Sequence, residues 1–245
     1  MEQQSQLVGY IIGNLKQEPR GFNFLRRRDY TGRYSYRDIL DVIKAVGQHR
    51  CSGFVIDEQN GFAYENLAKW LVGDATLKVL DPVSRRAVPG ELHKGIYLAG
   101  ATGTGKTYAM EILSYIADRL GLCFEHRAGV SALAWNNIRA DGIVRKYTQT
   151  GNFSMYIGGP DVIRSLCIQD LGSESTEATY MGSRVDVIRQ IIEARADNGS
   201  LLTLFTSNNP LWNNRPLIDK YGDRAFDRLR GMCNYLEMTG QSRRK

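Results

Sequence analysis

Eight consecutive residues, Gly100-Ala101-Thr102-Gly103-Thr104-Gly105-Lys106-Thr107, constrain this chain more than any other feature. The apolar run Ile96-Tyr97-Leu98-Ala99 leads into them. A helical pattern follows, with Met110, Leu113, Ile116 and Leu120 on one face and Ala109 and Ile112 alongside. A strand that hands the chain to a glycine-rich turn and then to a helix is the frame of a phosphate-binding loop. The glycines let backbone N–H groups curl around an anion, and the helix points the positive end of its dipole at the same place. Lys106 is expected to reach β- and γ-phosphate oxygens, and the Thr107 hydroxyl to join the shell of a Mg²⁺ ion. A glycine-rich turn with a chance lysine would need neither the full octet nor both flanks. The expectation is therefore a nucleoside triphosphate site.

A chain of 245 residues can bury one large α/β core plus a small appendage. No apolar stretch approaches the ~20 residues of a membrane span, and the opening MEQQSQLVGY lacks the layout of a secretion signal, so a cytoplasmic protein without a membrane partner is expected. Cys51, Cys123, Cys167 and Cys233 form no C-x-x-C pair and only three histidines are present, which favours free thiols over a zinc site. The net charge of +6 is uneven: residues 1–50 hold nine Lys/Arg against five Asp/Glu, centred on Arg26-Arg27-Arg28. A second cluster is Arg243-Arg244-Lys245. Such clusters suit a phosphate backbone or an acidic partner, or form a solvated basic face.

The spacing predicts a small helical unit first, residues 1–55, with Leu7, Val8, Ile11, Ile12 and Leu15 on one helix. Ser35 and Asp38 look like a capping pair for a second helix that buries Tyr36, Ile39, Leu40, Ile43 and Val46 and stops at Gly47. Phe54-Val55-Ile56 reads as a short strand, Tyr64 to Val72 as a helix, and 73–94 as loop. From Gly95 onward strands and helices alternate, the pattern of a mostly parallel sheet covered by helices, with strands near 95–99, 122–126, 164–169, 201–206 and 234–238. The stretch from Trp135 through Arg139, Arg145, Lys146 and Tyr147 reads as helix, and so does Tyr180 to Ala196, with Met181, Val185, Ile188, Ile191 and Ile192 inward and Arg184, Arg189 and Arg195 on other faces, where one of them could meet a neighbouring subunit.

A phosphate-binding loop that supports hydrolysis needs carboxylates at the end of a neighbouring strand, to hold Mg²⁺ through water and to orient the attacking water. Ser165-Leu166-Cys167-Ile168-Gln169-Asp170-Leu171-Gly172 is the candidate, since its apolar run ends at Asp170. A third strand, Leu201 to Thr206, runs into Ser207-Asn208-Asn209-Pro210, and a polar residue there can hold the lytic water near the γ-phosphate. Asn208 fits that role or caps the turn before Pro210.

The set GATGTGKT, LCIQDLG, FTSN and YGDRAFDRLR, in this order and spacing, resembles the AAA+ ATPases of the DnaC/IstB-like group, helicase loaders and transposon helper ATPases, over roughly residues 60–245. The resemblance implies an AAA+ P-loop NTPase of α/β class, a three-layer αβα sandwich over 56–245, with ATP held between subunits of an oligomer. It further implies that Asn208 is the first sensor residue and that Arg228, or Arg224, is the arginine finger supplied to a neighbour. The alternative for both arginines is an i,i+4 surface pairing with Asp223 and Asp227. Arg243 or Arg244 would correspond to a late arginine that senses nucleotide.

The chain departs from the family at Gln169-Asp170, where two acidic residues are usual. In one register Gln169 stands at the metal-side position and Asp170 at the water-side position. In the other Asp170 serves the metal and the water-activating acid is unassigned, with Glu174 a poor stand-in. Either way one carboxylate remains, and an amide brings no negative charge to Mg²⁺. The expectation is ATP binding with slow, switch-like hydrolysis. The basic, aromatic stretch from Trp135 to Tyr147 could line a channel for single-stranded DNA, or pack Trp135, Ile138 and Val144 into the core. Three roles follow: a helicase loader that binds a replicative DNA helicase and single-stranded DNA, a transposition helper on duplex DNA, and a P-loop small-molecule kinase.

Overall fold

The computed structural model describes residues 33–126 and 129–243. Most of the expected unit 1–55, including Arg26-Arg27-Arg28, lies outside them. So do Arg244 and Lys245. The described chain opens with helix α1 (Tyr36–Arg50), entered through a capping box in which Ser35 and Asp38 satisfy each other's backbone N–H groups. Ile39 and Ile43 are buried, as their spacing implied, but α1 does not stop at Gly47. That glycine sits inside the helix because the Phe54 ring lies where a Cβ would be. Phe54-Val55-Ile56 is irregular chain rather than a strand. Helix α2 (Gly61–Val72) follows, and the expected loop 73–94 contains a hairpin of β1 (Lys78–Leu80) and β2 (Ala87–Pro89).

The centre is a five-stranded, wholly parallel sheet. Its strands are β3 (Gly95–Ala99), β6 (Asn136–Arg139), β7 (Ser165–Leu171), β10 (Leu202–Ser207) and β11 (Cys233–Glu237), in the order β11-β3-β10-β7-β6. Side chains alternate across it. Ile96, Leu98, Leu202, Leu204 and Leu236 face a core shared with α1, α2 and α3 (Lys106–Arg119). Tyr97, Ala99, Leu166, Ile168, Phe205 and Tyr235 face a second core. That core is shared with α4 (Ala140–Thr150), α6 (Val187–Ala196) and α7 (Arg215–Met232), with the short α5 (Ser154–Ile157) beside it. This is the expected three-layer αβα sandwich. Ile39 and Ile43 of helix α1 are part of its first core.

Two expectations fail for identifiable reasons. The strand at 122–126 exists as β4 (Cys123–His126), but it pairs antiparallel with β5 (Gly129–Ala132) and stays outside the central sheet. The sheet's edge is instead β6, inside the stretch expected to be helical. An edge strand needs no continuous apolar run, and Asn136-Asn137-Ile138-Arg139 offers only one apolar residue. Likewise, 180–196 is not one helix: β8 (Ala178–Tyr180) and β9 (Ser183–Val185) form a hairpin before α6. Its two-residue turn, Met181-Gly182, has φ of 47° and 85°, the geometry of a tight hairpin turn. Met181 is accordingly 88% exposed rather than inward.

Arg195 corrects another reading, because it is buried and cannot meet a neighbouring subunit. Its guanidinium donates to Thr203 Oγ1 and to the carbonyls of Tyr156, Ile163, Arg164 and Leu202, at 2.7–3.0 Å. Those bonds stand in for the water it has lost. Trp135 is buried too, and Ile138 and Val144 pack on the second core, as the packing alternative had it. Trp70 is sealed, whereas Trp212 is 44% exposed beneath the Arg85 guanidinium, 4.7 Å from its ring.

Candidate nucleotide site

Strand β3 is buried along its whole length between β11 and β10, which anchors the start of the 100–105 loop at the C-terminal ends of the parallel strands. Open α/β sheets place their ligands at that edge. Gly100 N–H donates to the Ser207 carbonyl at 3.2 Å, so the loop leaves the sheet tied to the end of β10. Gly105, with φ of 98°, is the N-cap of α3. It brings no side-chain acceptor, and the first-turn N–H groups of α3 can therefore serve an anion.

Lys106 and Asn208, 102 residues apart, meet here. The buried Lys106 ammonium donates to the Gly100 carbonyl at 2.8 Å, the Ala101 carbonyl at 3.0 Å and Asn208 Oδ1 at 2.9 Å. Asn208 Nδ2 donates to Thr102 Oγ1 at 3.3 Å. Thr104 is buried, its hydroxyl donating to the Ala101 carbonyl, and Thr107 is half-buried in the first turn of α3. An ammonium, a helix N-terminus and an amide converge on one face, which suits a triphosphate. Thr107 suits an accompanying Mg²⁺.

The acidic strand is arranged differently. Gln169 is buried and its Nε2 donates to Asn137 Oδ1 on β6 at 3.0 Å. Asn137 Oδ1 also accepts from the Trp135 indole at 3.2 Å. Asp170 has φ of 55°, a left-handed conformation that costs a non-glycine residue about 1–3 kcal/mol. The β7–β10 register shifts beside it, and the Thr206 hydroxyl accepts its N–H at 3.0 Å. The Asp170 carboxylate lies 3.3 Å from Arg139, which also holds Asp141 at 3.0 Å. Arg139 keeps Asp141 below the usual carboxylate range, and Asp141 raises Arg139 in return. Glu174 is committed to the interior: it accepts from Gly172 N–H and from the Tyr221 hydroxyl, and Lys220 lies 3.4 Å away. Burial pushes Tyr221 far above the normal tyrosine range. Glu174 is thus no substitute acid.

The finger candidates part company. Arg228 pairs with Asp197 at 2.8 Å, not with Asp223 or Asp227. Arg224 is exposed and, among the described residues, forms no ion pair. Helix α7 kinks at Gly222, just before both. In the stretch considered for DNA, Arg145 pairs with Asp141 and Lys146 lies against Met155 and over the Tyr156 ring, so these cations have partners within the fold. Arg243 turns to Asp57 rather than toward Lys106. Sequence reasoning missed Asn137 and the place of Arg139 beside Asp170, and it missed Thr206 and Asp57. The first two were hidden by the helical reading of 135–147, and Asp57 pairs across 186 residues, which no local pattern reports.

The parallel sheet, the glycine-rich loop after β3 and the polar residue closing the neighbouring strand β10 fit an α/β P-loop NTPase fold. Comparison with solved structures finds chains of similar architecture. A candidate primosome component from Streptococcus pyogenes serotype M3 superposes with a TM-score of 0.51 at 17% identity, over 78% of this chain and 85% of that one. AMPPCP-bound DnaA from Aquifex aeolicus gives a TM-score of 0.45 at 18% identity, over 76% of this chain and 48% of that one. The DnaC helicase loader gives 0.47 at 14% identity, over 76% and 93%. At these identities the likeness is one of fold. No family model and no curated protein matches the sequence.

Proposed function

We propose that this chain binds ATP with Mg²⁺ at Gly100–Thr107, hydrolyses it slowly, and works as an ATP-switched oligomer that loads a replicative helicase onto single-stranded DNA. The Lys106–Asn208 contact of 2.9 Å carries the reading, because it joins the phosphate-binding lysine to the residue best placed to sense a γ-phosphate. Lys106 would exchange loop carbonyls for phosphate oxygens, and Asn208 would orient the attacking water. Thr107 would hold the metal, with Asp170 acting through water. Mg²⁺, when bound, supplies charge neutralisation on the β- and γ-phosphates. Slow turnover follows from Gln169, whose amide is spent on Asn137, and from Asp170, whose charge is shared with Arg139.

Arg224, exposed on α7, is the preferred finger toward a neighbouring subunit, ahead of the paired Arg228. The helicase grip is assigned to the basic N-terminal residues around Arg26–Arg28. The streptococcal protein of like fold, named as a primosome component, supports a replication role for this chain on the same footing.

The test is ATP affinity and turnover with a helicase pull-down. Wild type should bind ATP and turn over slowly, Lys106→Ala should lose binding, and Gln169→Asp should raise turnover by roughly 10-fold or more. Capture of a transposase instead of a helicase would overturn the loading role. Formation of a phosphorylated metabolite without any response to DNA would overturn the switch.

A further inference from the structure

The chain beyond β11 runs back across the outside of the phosphate loop. Met238 N–H donates to the Ala99 carbonyl at 2.8 Å, and the Met238 carbonyl lies where a Cβ on Gly100 would be. Thr239 donates through its N–H and its hydroxyl to the Gln59 carbonyl, both at 3.0 Å. Ser242 packs against the α-carbon of Gly103, and Arg243 N–H donates to the Gly103 carbonyl at 2.9 Å. The end of this strap is clasped: the Arg243 guanidinium grips Asp57 through two bonds of 2.9 and 2.8 Å. Asp57 is itself fixed in the 57–60 turn, donating to Asn60 Oδ1 and accepting from Gln59 N–H. That turn opens α2, whose Leu67, Trp70 and Leu71 are fully buried. A planar, bidentate ion pair has the most defined geometry of any side-chain contact.

We propose that Arg243 is a positioning residue for the nucleotide site: clasped to Asp57, it holds the 238–243 strap against Gly100 and Gly103 and so fixes the loop in its phosphate-receiving shape. The proposal rests on the reading that this loop binds ATP. Its physical basis is the planarity of the peptide. With the Gly103 carbonyl held outward by the strap, the 103–104 peptide plane cannot rotate without breaking that bond. Gly103 and Gly100 are glycines here because the strap leaves no room for a Cβ. The arginine thus acts on the outside of the loop and touches no phosphate. Its Nε is buried with no acceptor among the described residues, so the clasp is held by the two terminal nitrogens alone. A change at either partner should release it.

The test uses the full chain with Arg243→Ala, Asp57→Asn, the double variant and the charge swap Asp57→Arg/Arg243→Asp, with thermal melting to verify folding. Hydrogen exchange of the 100–105 amides is read without nucleotide, and affinity is read with a fluorescent ATP analogue plus Mg²⁺. Both single variants should exchange faster in the loop and bind the analogue ~10-fold more weakly. The double variant should be no worse than either single one, and the swap should recover most of the loss. Unchanged loop exchange in Arg243→Ala, or faster exchange with unaltered affinity, would overturn the proposal. A wild-type chain with no affinity for the analogue would instead sink the ATP reading itself.

Discussion

The phosphate-loop end of the sheet and its carboxylate end are built to opposite plans. Around Lys106 the loop carbonyls and Asn208 converge on one ammonium, with the strap clasped by Arg243 and Asp57 on the outer side of the loop. Around β7 the polar groups are drawn aside, Gln169 toward Asn137 and Asp170 toward Arg139. The first arrangement holds the Lys106 ammonium beside the open N-terminus of α3, which suits an anion, and the second draws the Asp170 charge toward Arg139. Under the proposed function, holding a triphosphate and cleaving it are separable properties, and substitutions should move one without the other.

The largest effect that would sharpen this contrast lies between subunits. Arg224→Ala should lower assembly-stimulated turnover by ~10³-fold while leaving nucleotide affinity intact, because an arginine finger stabilises charge only in the transition state. Arg228→Ala removes a partly exposed pair with Asp197 and should cost at most about 1 kcal/mol of stability. Equal losses of turnover in the two variants would break the assignment. A smaller effect is expected at the carboxylate end. Arg139→Ala frees Asp170 and should raise turnover several-fold, whereas a fall would show that Arg139 itself contributes to catalysis.

Smallest is the response to acid, in which the two ends should behave alike. Arg243 holds Asp57, and Arg139 holds Asp141, below the ordinary carboxylate range near 3.9. A carboxylate whose folded value is lowered contributes stability above its unfolded value and loses it as pH falls through the folded one. Both clasps should thus hold from neutral pH down to about pH 4 and open below it, seen as faster exchange at the loop and at the start of α4. Loss near pH 6 would mean that other groups hold them.

Much of this was legible in advance, for physical reasons. The loop and β3, β7 and β10 announce themselves because central parallel strands are buried on both faces and read as apolar runs, and the edge strand β11 does so because it too is largely buried. The capping box of α1 is local chemistry, visible as Ser35 and Asp38. What escaped was set by tertiary neighbours. Strand β6 lies at an edge and none of its side chains is fully buried, so it carries no apolar run, and Arg195 is buried because five acceptors surround it. The Arg243–Asp57 pair escaped for the same reason: it is set by the return path of the chain.

Trp70 and Trp135 are shut away from water, and Trp212 alone is open, two residues before the α7 N-cap and four after Asn208. The chain thus carries a built-in optical probe beside the residue assigned to the γ-phosphate. Dissolved quenchers will reach that one indole, and its emission will report on rearrangement of the β10–α7 connection with no label attached.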